Sequence, residues 1–459
     1  MFGNIVQTFT NCFRIPELKS RIWFTVLLLA VCRLIAYVRI PWLDGAVIEN
    51  VFHSASGGGG LMGMANMFTG DAIKHGAVGA LGIMPYISAT IIIQLLTAVV
   101  PTLSKLAREE GGRAKIIQYG RYGTVLLCLV QGSAMAFGWE RPASLYGQDV
   151  GQLVLVSPGY IWWYRIGTVI LLTTGTLLLM WLGEQITERG IGNGVSLVIT
   201  IGIVSQLPTA AVQVWKLFFP PAGVAATFNI GHGAALLLLL LGVIAGVVAV
   251  TQAQRKIPVQ YAQRAVGRKM YSGGTSFMPL RVNYAGVMPV IFASAILTFF
   301  SMLANRLAEW SQIGLIRQID IALSRGAGLY IVVFGLMILA FSYFWVATQF
   351  NEIQIADDLK KNGGYIPGVR PGVPTSDFLH NTMSRITLAG ALMLTLIAVI
   401  PIVMQNYLNI PYAVADFFGG TTILITVGVM LDTMRQVESH LMMRNYDGFL
   451  KKGKIRGRL

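Results

Sequence analysis

The chain has 459 residues, of which 54% are hydrophobic and only 12% charged, and its formal net charge is +15. This much apolar surface cannot be buried in one soluble core, which excludes an ordinary soluble domain and indicates an integral membrane protein. The positive charge does not require a nucleic-acid partner, because membrane proteins concentrate Lys and Arg in their cytoplasmic segments.

The first twenty residues are polar and amphipathic, and they lack the continuous apolar core of a cleavable signal peptide. They predict a segment that lies on the membrane surface. Ten apolar runs follow, each a candidate transmembrane helix. They cover residues 23–40, 81–100, 118–138, 164–182, 193–207, 233–251, 285–303, 328–348, 387–404 and 418–432. The predicted fold class is therefore an all-α polytopic membrane protein with ten transmembrane helices.

The distribution of basic residues predicts the orientation. With the N-terminus in the cytoplasm, about 26 of the 35 Lys and Arg residues fall in inside segments. Arg33 falls within the first span. Both chain ends are therefore predicted to be cytoplasmic.

The external segment before the second span, SASGGGGLMGMANMFTGD (Ser54 to Asp71), is too short and too glycine-rich to cross a bilayer. It nevertheless carries Leu61, Met62, Met64, Met67 and Phe68 at roughly helical spacing. An apolar half-helix at membrane depth must be buried in protein or line a cavity. The segment is thus either a stopper in the mouth of a constriction or a loop or interfacial helix on the surface.

The second span begins with a motif that recurs in the seventh. LGIMPYISATIIIQLL starts at Leu81 and AGVMPVIFASAIL starts at Ala285, sharing Gly-[Ile/Val]-Met-Pro and the small residues that follow. In the predicted topology the second span runs inward and the seventh outward. The chain is therefore predicted to hold two inverted halves of five spans each, with its working site where the repeats meet.

The repeated motif is apolar. It offers Ile83, Met84 and Ile87 in one copy and Val287, Met288 and Ile291 in the other. A transporter of ions or small solutes is expected to carry ionisable groups in its spans, whereas a hydrophobic constriction can gate by excluding water. A large and chemically varied cargo is predicted. An inverted-repeat solute transporter and an intramembrane enzyme such as a lipid transferase remain alternatives.

Two cytoplasmic loops, residues 252–283 and 351–385, are longer than helix connections require and carry basic residues between Gly and Pro. They are predicted to bind a partner. The sequence contains no G-x-x-x-x-G-K-[ST] phosphate loop, and its five His and three Cys residues show no metal-ligand or disulfide spacing. We therefore expect no cofactor, no metal and no enzymatic activity.

Five long segments, in order, resemble signatures of the SecY family of bacterial protein-conducting channels. They are LGIMPYISATIIIQLL, GEQITERGIGNGVSLVI, PLRVNYAGVMPVIFASAIL, ADDLKKNGGYIPGVRPG and FFGGTTILITVGVMLD. The resemblance covers essentially the whole chain. It implies an hourglass pore with a plug, through which unfolded secretory polypeptides cross the membrane and from which transmembrane segments pass sideways into lipid. A partner motor or the ribosome would drive this passive pore.

The resemblance also implies roles for individual residues. The pore ring falls on Ile83, Ile87, Val195, Ile199, Ile291 and Ile425. Val195 stands where many bacterial relatives carry Ile. The plug falls on Leu61, Met62, Met64, Asn66, Met67 and Phe68, and the lateral gate on Gln94 and Asn283. The surface that docks SecA or the ribosome falls on Arg255, Lys256, Arg264, Arg268, Lys269 and Arg370.

The same resemblance implies partners and a location. The partners are SecE- and SecG-type small membrane subunits, the SecA motor ATPase, the ribosome, polypeptides with signal sequences, and the lipid bilayer. The expected location is the bacterial cytoplasmic (inner) membrane, although a thylakoid homologue stays open.

The predicted domain organisation has five parts. These are an interfacial segment (1–22), a first half of five spans (23–207) that includes the plug (57–71), an external connector (208–232), a second half (233–432) with its two cytoplasmic loops, and a basic cytoplasmic tail (433–459).

Overall fold

The computed structural model describes residues 16–53, 66, 68–109, 111–142, 153–219, 230–261, 264–266, 269–271, 274–311, 318, 328–408, 414 and 421–452. The described part of the chain is mostly helical. Its helices are α1 (Pro16–Ile35), α2 (Gly45–His53), α3 (Met84–Val99), α4 (Pro101–Arg108), α5 (Gly112–Glu140), α6 (Ile161–Arg189), α7 (Gly194–Val204), α8 (Leu207–Phe218), α9 (Ile230–Gln252), α10 (Met288–Ser311), α11 (Gly328–Gln349), α12 (Glu352–Lys361), α13 (Val373–Leu408) and α14 (Thr421–Lys452).

The chain divides into two compact units. The first comprises Met1–Pro221 together with Val429–Leu459, and the second comprises Ala222–Gly428. The first unit thus takes in α8, which the sequence had assigned to an external connector, and the C-terminal part of α14.

The first unit is built around α5 and α6. Trp139 and Tyr164 are fully buried in its core, and the Tyr164 hydroxyl donates a hydrogen bond to the carbonyl of Ala136 at 3.2 Å. Beside this core, the Arg165 guanidinium forms two hydrogen bonds of 2.7 and 2.8 Å to the carboxylate of Glu140. Paired hydrogen bonds of this kind fix both distance and orientation, so they fasten the facing ends of the two helices.

The second unit contains β-strands that the all-α prediction did not include. β1 (Gln254–Tyr261), β4 (Thr275–Arg281) and β5 (Gly364–Tyr365) form an antiparallel sheet in the order β4-β1-β5, and β2 (Arg264–Val266) pairs with β3 (Lys269–Tyr271). Ile257 and Val259 of β1 are buried between exposed neighbours, which is the period-two pattern of a half-buried strand. The long 252–283 loop is therefore largely a hairpin whose inner face packs on the second unit's core.

A helix overlaps each of the ten predicted spans, but the helices differ in length and shape. Six helical stretches in the described ranges are long and apolar enough to cross a membrane. A seventh is possible if Met84–Thr97 and Pro101–Ala107, which meet at 103°, count as one broken span. Val100 is extended and Pro101 begins α4, which explains the bend because a proline disfavours helical conformation in the preceding residue. The count of ten spans stays a prediction.

Candidate functional site

The repeated Gly-x-Met-Pro motif forms the same local structure in both units. Gly82 and Gly286 have left-handed backbones, with φ of 58° and 65°. In each copy the helix begins two residues later, at Met84 or Met288, with proline in its first turn. A left-handed turn suits glycine, and proline suits the first turn because its missing N–H has no helical partner there. The proline therefore starts each helix and does not break it.

The first unit brings the predicted ring residues Ile83 and Val195 together at Gly183. A Cβ on Gly183 of α6 would lie 3.6 Å from both Ile83 Cδ1 and the backbone nitrogen of Val195. Ile83, Ile87 and Ile199 are 2, 5 and 1% exposed, and Val195 is half-buried. At the start of α7, the Asn193 side chain accepts hydrogen bonds from the backbone of Val195 and Ser196. This cap fixes where α7 begins.

The second unit holds the other two ring residues. Ile291 and Ile425 are both 0% exposed. A Cβ on Gly428 of α14 would lie 2.4 Å from Val287 Cγ1, so the two helices approach closely there. Ile291 and Ile425 each lie about one turn along their own helix from that contact.

Of the predicted plug residues, Asn66 and Phe68 are described and buried, at 6 and 5% exposure. Leu61, Met62, Met64 and Met67 lie outside the described residues. Phe68 and the ring residue Ile83 line one small cavity, together with Cys32, Arg33, Val198 and Gly202. The C-terminal end of the predicted plug segment thus lies against the start of the repeated motif.

Asn66 and residues 68–71 lie in a turn held by polar contacts, which we call the plug turn. The Asn66 carbonyl accepts from Thr69 Oγ1 and from the Asp71 backbone, both at 3.0 Å. The Asn66 side chain donates to the Asp71 carboxylate at 2.7 Å and accepts from the Lys74 backbone at 3.0 Å. Asp71 itself is left-handed, with φ of 69°, a conformation that Asp tolerates better than most residues.

The plug turn is attached to neighbouring helices at two points. The Arg33 guanidinium of α1 donates to the Gly70 carbonyl and lies over the Tyr37 ring, 5.1 Å from its centroid. Gln206, immediately before α8, donates to the Asn66 carbonyl at 3.3 Å and to the Asp71 carboxylate at 3.2 Å. A Cβ on Gly70 would lie 2.8 Å from the Gly202 Cα, so two glycine backbones are in contact beneath the turn.

His75 follows the plug turn, and its ring packs against that of Tyr37 at a centroid distance of 5.1 Å with the planes tilted by 32°. Burial lowers the pKa of His75, while the carboxylates of Asp71 and Glu49 act in the opposite direction. Partial burial removes hydration that the charged imidazole needs, which disfavours the protonated form of the ring.

The two predicted gate residues lie in different units. Gln94 is half-buried on α3, and Asn283 is buried between β4 and α10. No described residue accepts a hydrogen bond from the side-chain nitrogen of Asn283. A buried amide without a partner is costly and uncommon, which marks this position as a candidate for a polar contact made in another state.

The predicted docking residues lie on the second unit. Arg255 and Lys256 are exposed on β1, and Arg370 is exposed between Gly368 and Gly372, whose φ values are 84° and 101°. Ile366 and Val369 pack into the unit's core, so the Arg370 loop is anchored. The backbones of Arg264 and Lys269 lie in β2 and β3, their side chains are not described, and Arg268 lies outside the described residues.

Sequence reasoning missed the residues that hold the plug turn. Gln206 and Asp71 are 135 positions apart, and neither belongs to a motif. Arg33 did carry a signal, because an ionisable residue in an apolar span is rare and usually has a function.

Comparison with known proteins identifies the family of this chain. A sequence model named SecY matches residues 77–434. The protein translocase subunit SecY of Chlamydia trachomatis is 39% identical over 99% of this chain and 100% of its own length. A solved structure described as showing that the SecY plug domain stabilises the closed channel and maintains a membrane seal aligns with a TM-score of 0.61, at 19% identity over 91% of each chain. Sec61 from a canine ribosome–channel complex aligns at 0.57, with 18% identity and the same coverage.

Proposed function

The chain belongs to the SecY family of protein translocase subunits, and from this premise we propose how its residues conduct a polypeptide. The protein is a multi-pass membrane channel subunit for protein translocation and not an enzyme. In our proposal, the moving chain contacts an aliphatic ring made of Ile83, Ile87, Val195, Ile199, Ile291 and Ile425. The observation that carries this is the shared turn and helix start of the two motifs, with Ile87 and Ile291 each five residues after a left-handed glycine.

Burial supports the ring assignment over a lipid-facing role. Five of the six side chains are at most 5% exposed, whereas Ile92 on the same helix as Ile87 is 47% exposed. Aliphatic side chains bind no particular sequence and can part around a bulky chain. When the channel is idle, an apolar constriction of this kind resists wetting and so resists ion flow.

The plug and the lateral gate complete the proposal. Residues 57–71 act as the plug, and the burial of Asn66 and Phe68 supports a position inside the protein for its C-terminal end. Gln94 and Asn283 act as polar residues of a gate through which apolar segments leave for the bilayer. About ten strongly apolar residues at roughly −0.5 kcal/mol each favour that exit by about 5 kcal/mol.

The cytoplasmic loops are proposed to bind the energy source. Arg255, Lys256 and Arg370 are exposed on anchored segments, and the Sec61 channel to which the fold is similar comes from a ribosome complex. Basic side chains suit the phosphates of ribosomal RNA. Arg264, Arg268 and Lys269 belong to the same proposed surface, which also docks the SecA motor.

The remaining proposals follow from family membership and the charge distribution. They are association with SecE- and SecG-type subunits, a location in the bacterial cytoplasmic membrane, ten spans in two inverted halves, and cytoplasmic termini. Polypeptides with signal sequences are the proposed cargo.

Site-specific photocrosslinking tests the ring. A photoreactive residue at position 87 is expected to crosslink to a precursor arrested during SecA- and ATP-driven transport into vesicles. The matched probe at position 92 is expected to crosslink to lipid. Equal crosslinking of the precursor at both positions would remove Ile87 from the ring, and saturable uptake of a small solute without protein transport would favour the transporter alternative.

A further inference from the structure

The plug turn is fastened to the first unit by side chains that lie far from it in sequence. Gln206 immediately precedes α8 and reaches two acceptors of the turn at once, the Asn66 carbonyl and the Asp71 carboxylate. The other contacts of Asn66 and Asp71 described above are made within residues 66–75 and therefore hold only the shape of the turn.

We propose that Gln206 and Asp71 form a latch that positions the plug turn, and that the strength of this latch sets how readily the turn opens. This rests on the proposed plug and extends it to residues outside the plug. Gln206 is a positioning residue, because it affects the proposed polypeptide path indirectly, by holding the plug turn.

The hydrogen bond between Gln206 and Asp71 is of a strength that suits a reversible contact. A hydrogen bond to a charged group contributes more than one between neutral groups, but its loss changes a local equilibrium by only about tenfold to hundredfold. Gln206 and Asp71 are both half-buried, so water can replace each partner when the turn moves. Beneath them, Gly70 and Gly202 meet through backbone atoms, which leaves little side-chain packing to resist separation there.

Asp71 also explains why the partner should be a glutamine. Its carboxylate already accepts from Asn66 at 2.7 Å and can accept again, so the facing side chain at position 206 has to be a donor. A carboxylate at position 206 would instead meet a like charge. Exchanging the two chemistries, with Glu at 206 and Asn at 71, restores one donor and one acceptor, and Asn tolerates the left-handed backbone at 71.

The test measures local opening in the idle channel. Ala72, next to Asp71, is 0% exposed, so Ala72→Cys should react slowly with a membrane-impermeant maleimide when Cys12, Cys32 and Cys128 are replaced by Ala. We expect Gln206→Ala to raise the labelling rate by about tenfold to hundredfold, and Gln206→Glu to raise it further. The double variant Gln206→Glu with Asp71→Asn should return towards the parent rate.

The control is Gln213→Ala, an exposed glutamine on α8, which should leave the rate unchanged. The latch would be overturned if Gln206→Ala were labelled at the parent rate. It would also be overturned if the double variant were labelled as fast as Gln206→Glu alone. Melting temperatures identify any variant that is simply unfolded. If Gln206→Glu or the double variant is lost in this way, the labelling rate of Gln206→Ala against that of Gln213→Ala decides. The assay uses no precursor, so a failure of the proposed path in transport experiments is distinguishable from a failure of the latch.

Discussion

A Cβ added to Gly194 would lie 1.9 Å from the carbonyl oxygen of Gly183. The start of α7 therefore rests directly on the backbone of α6, and the contact places Val195 beside Ile83. Because the obstacle is backbone, it cannot move aside as the end of a side chain could.

Gly194→Ala is expected to destabilise the first unit by about 3 kcal/mol, since overpacking forces the backbone to shift. Thermal unfolding in detergent measures this loss. Gly242 on α9 is the matched control, because a Cβ there meets no atom within 4 Å. Gly242→Ala should be neutral or stabilising by up to about 1 kcal/mol, as alanine favours helix. Equal melting temperatures for the two variants would contradict the α6–α7 contact.

The aliphatic ring predicts a change in ion leak. Ile87→Ser or Ile291→Ser places a hydroxyl in a proposed apolar constriction and should allow water and ions to pass at rest. Planar-bilayer recordings should show severalfold more conductance than the parent channel. Ile92→Ser, at the exposed position of α3, should behave like the parent. Unchanged conductance in the Ile87 and Ile291 variants, with and without the plug segment, would count against the ring.

Much of this site could be predicted from the repeated motif, and the reason is local. Gly and Pro constrain the backbone by themselves, so the two copies of the motif, which the sequence shows to be alike, form matching left-handed turns at Gly82 and Gly286. The six predicted ring residues could be identified from the motif only in part. Ile83, Ile87 and Ile291 stand in the two copies of the motif. Val195, Ile199 and Ile425 came from resemblance, because one aliphatic residue in a membrane span looks like any other.

Contacts between residues far apart in the chain could not be predicted from the sequence. Nothing near Gln206 indicates that it meets Asp71, since a pairing across 135 residues depends on how α7 and α8 pack. The strands were missed for a related reason. Ile257 and Val259 alternate over too few residues, among basic neighbours, to stand out from a loop.

A substitution at the exposed Arg370 is expected to reduce export while leaving the protein folded. Arg370→Glu reverses the charge at a proposed contact with a partner and should lower SecA-driven export by roughly tenfold. Folding should persist, because Ile366 and Val369 supply the packing of the loop. Transport of a precursor into vesicles measures the effect, and the melting temperature checks the fold. Lys115→Glu, at an exposed basic residue of α5 outside the two loops, is the comparison and should export like the parent. Full export by Arg370→Glu would exclude that side chain from the docking surface.

Gly70 and Gly202 are in contact beneath the plug turn. The same added methyl group is expected to be more disruptive at Gly70 than at Gly202. At Gly70, the left-handed φ of 65° and atoms of Arg33 and Gly202 at 2.5 and 2.8 Å oppose a Cβ. At Gly202, the nearest atoms lie at 3.3 to 3.4 Å, and its φ is not left-handed. Gly70→Ala must therefore strain the backbone and displace the Arg33 guanidinium, whereas Gly202→Ala needs shifts of only a few tenths of an ångström.

We expect Gly70→Ala to raise the resting ion leak, and the maleimide labelling rate in the Ala72→Cys background, well above those of Gly202→Ala. The melting temperature of the whole channel should change less than with Gly194→Ala. The reason is that the strain falls on a turn held mainly by polar contacts, whereas Gly194 lies where two helices of the core meet. If Gly202→Ala proved the more disruptive of the pair, the left-handed turn at Gly70 and its contact with Arg33 would both be wrong.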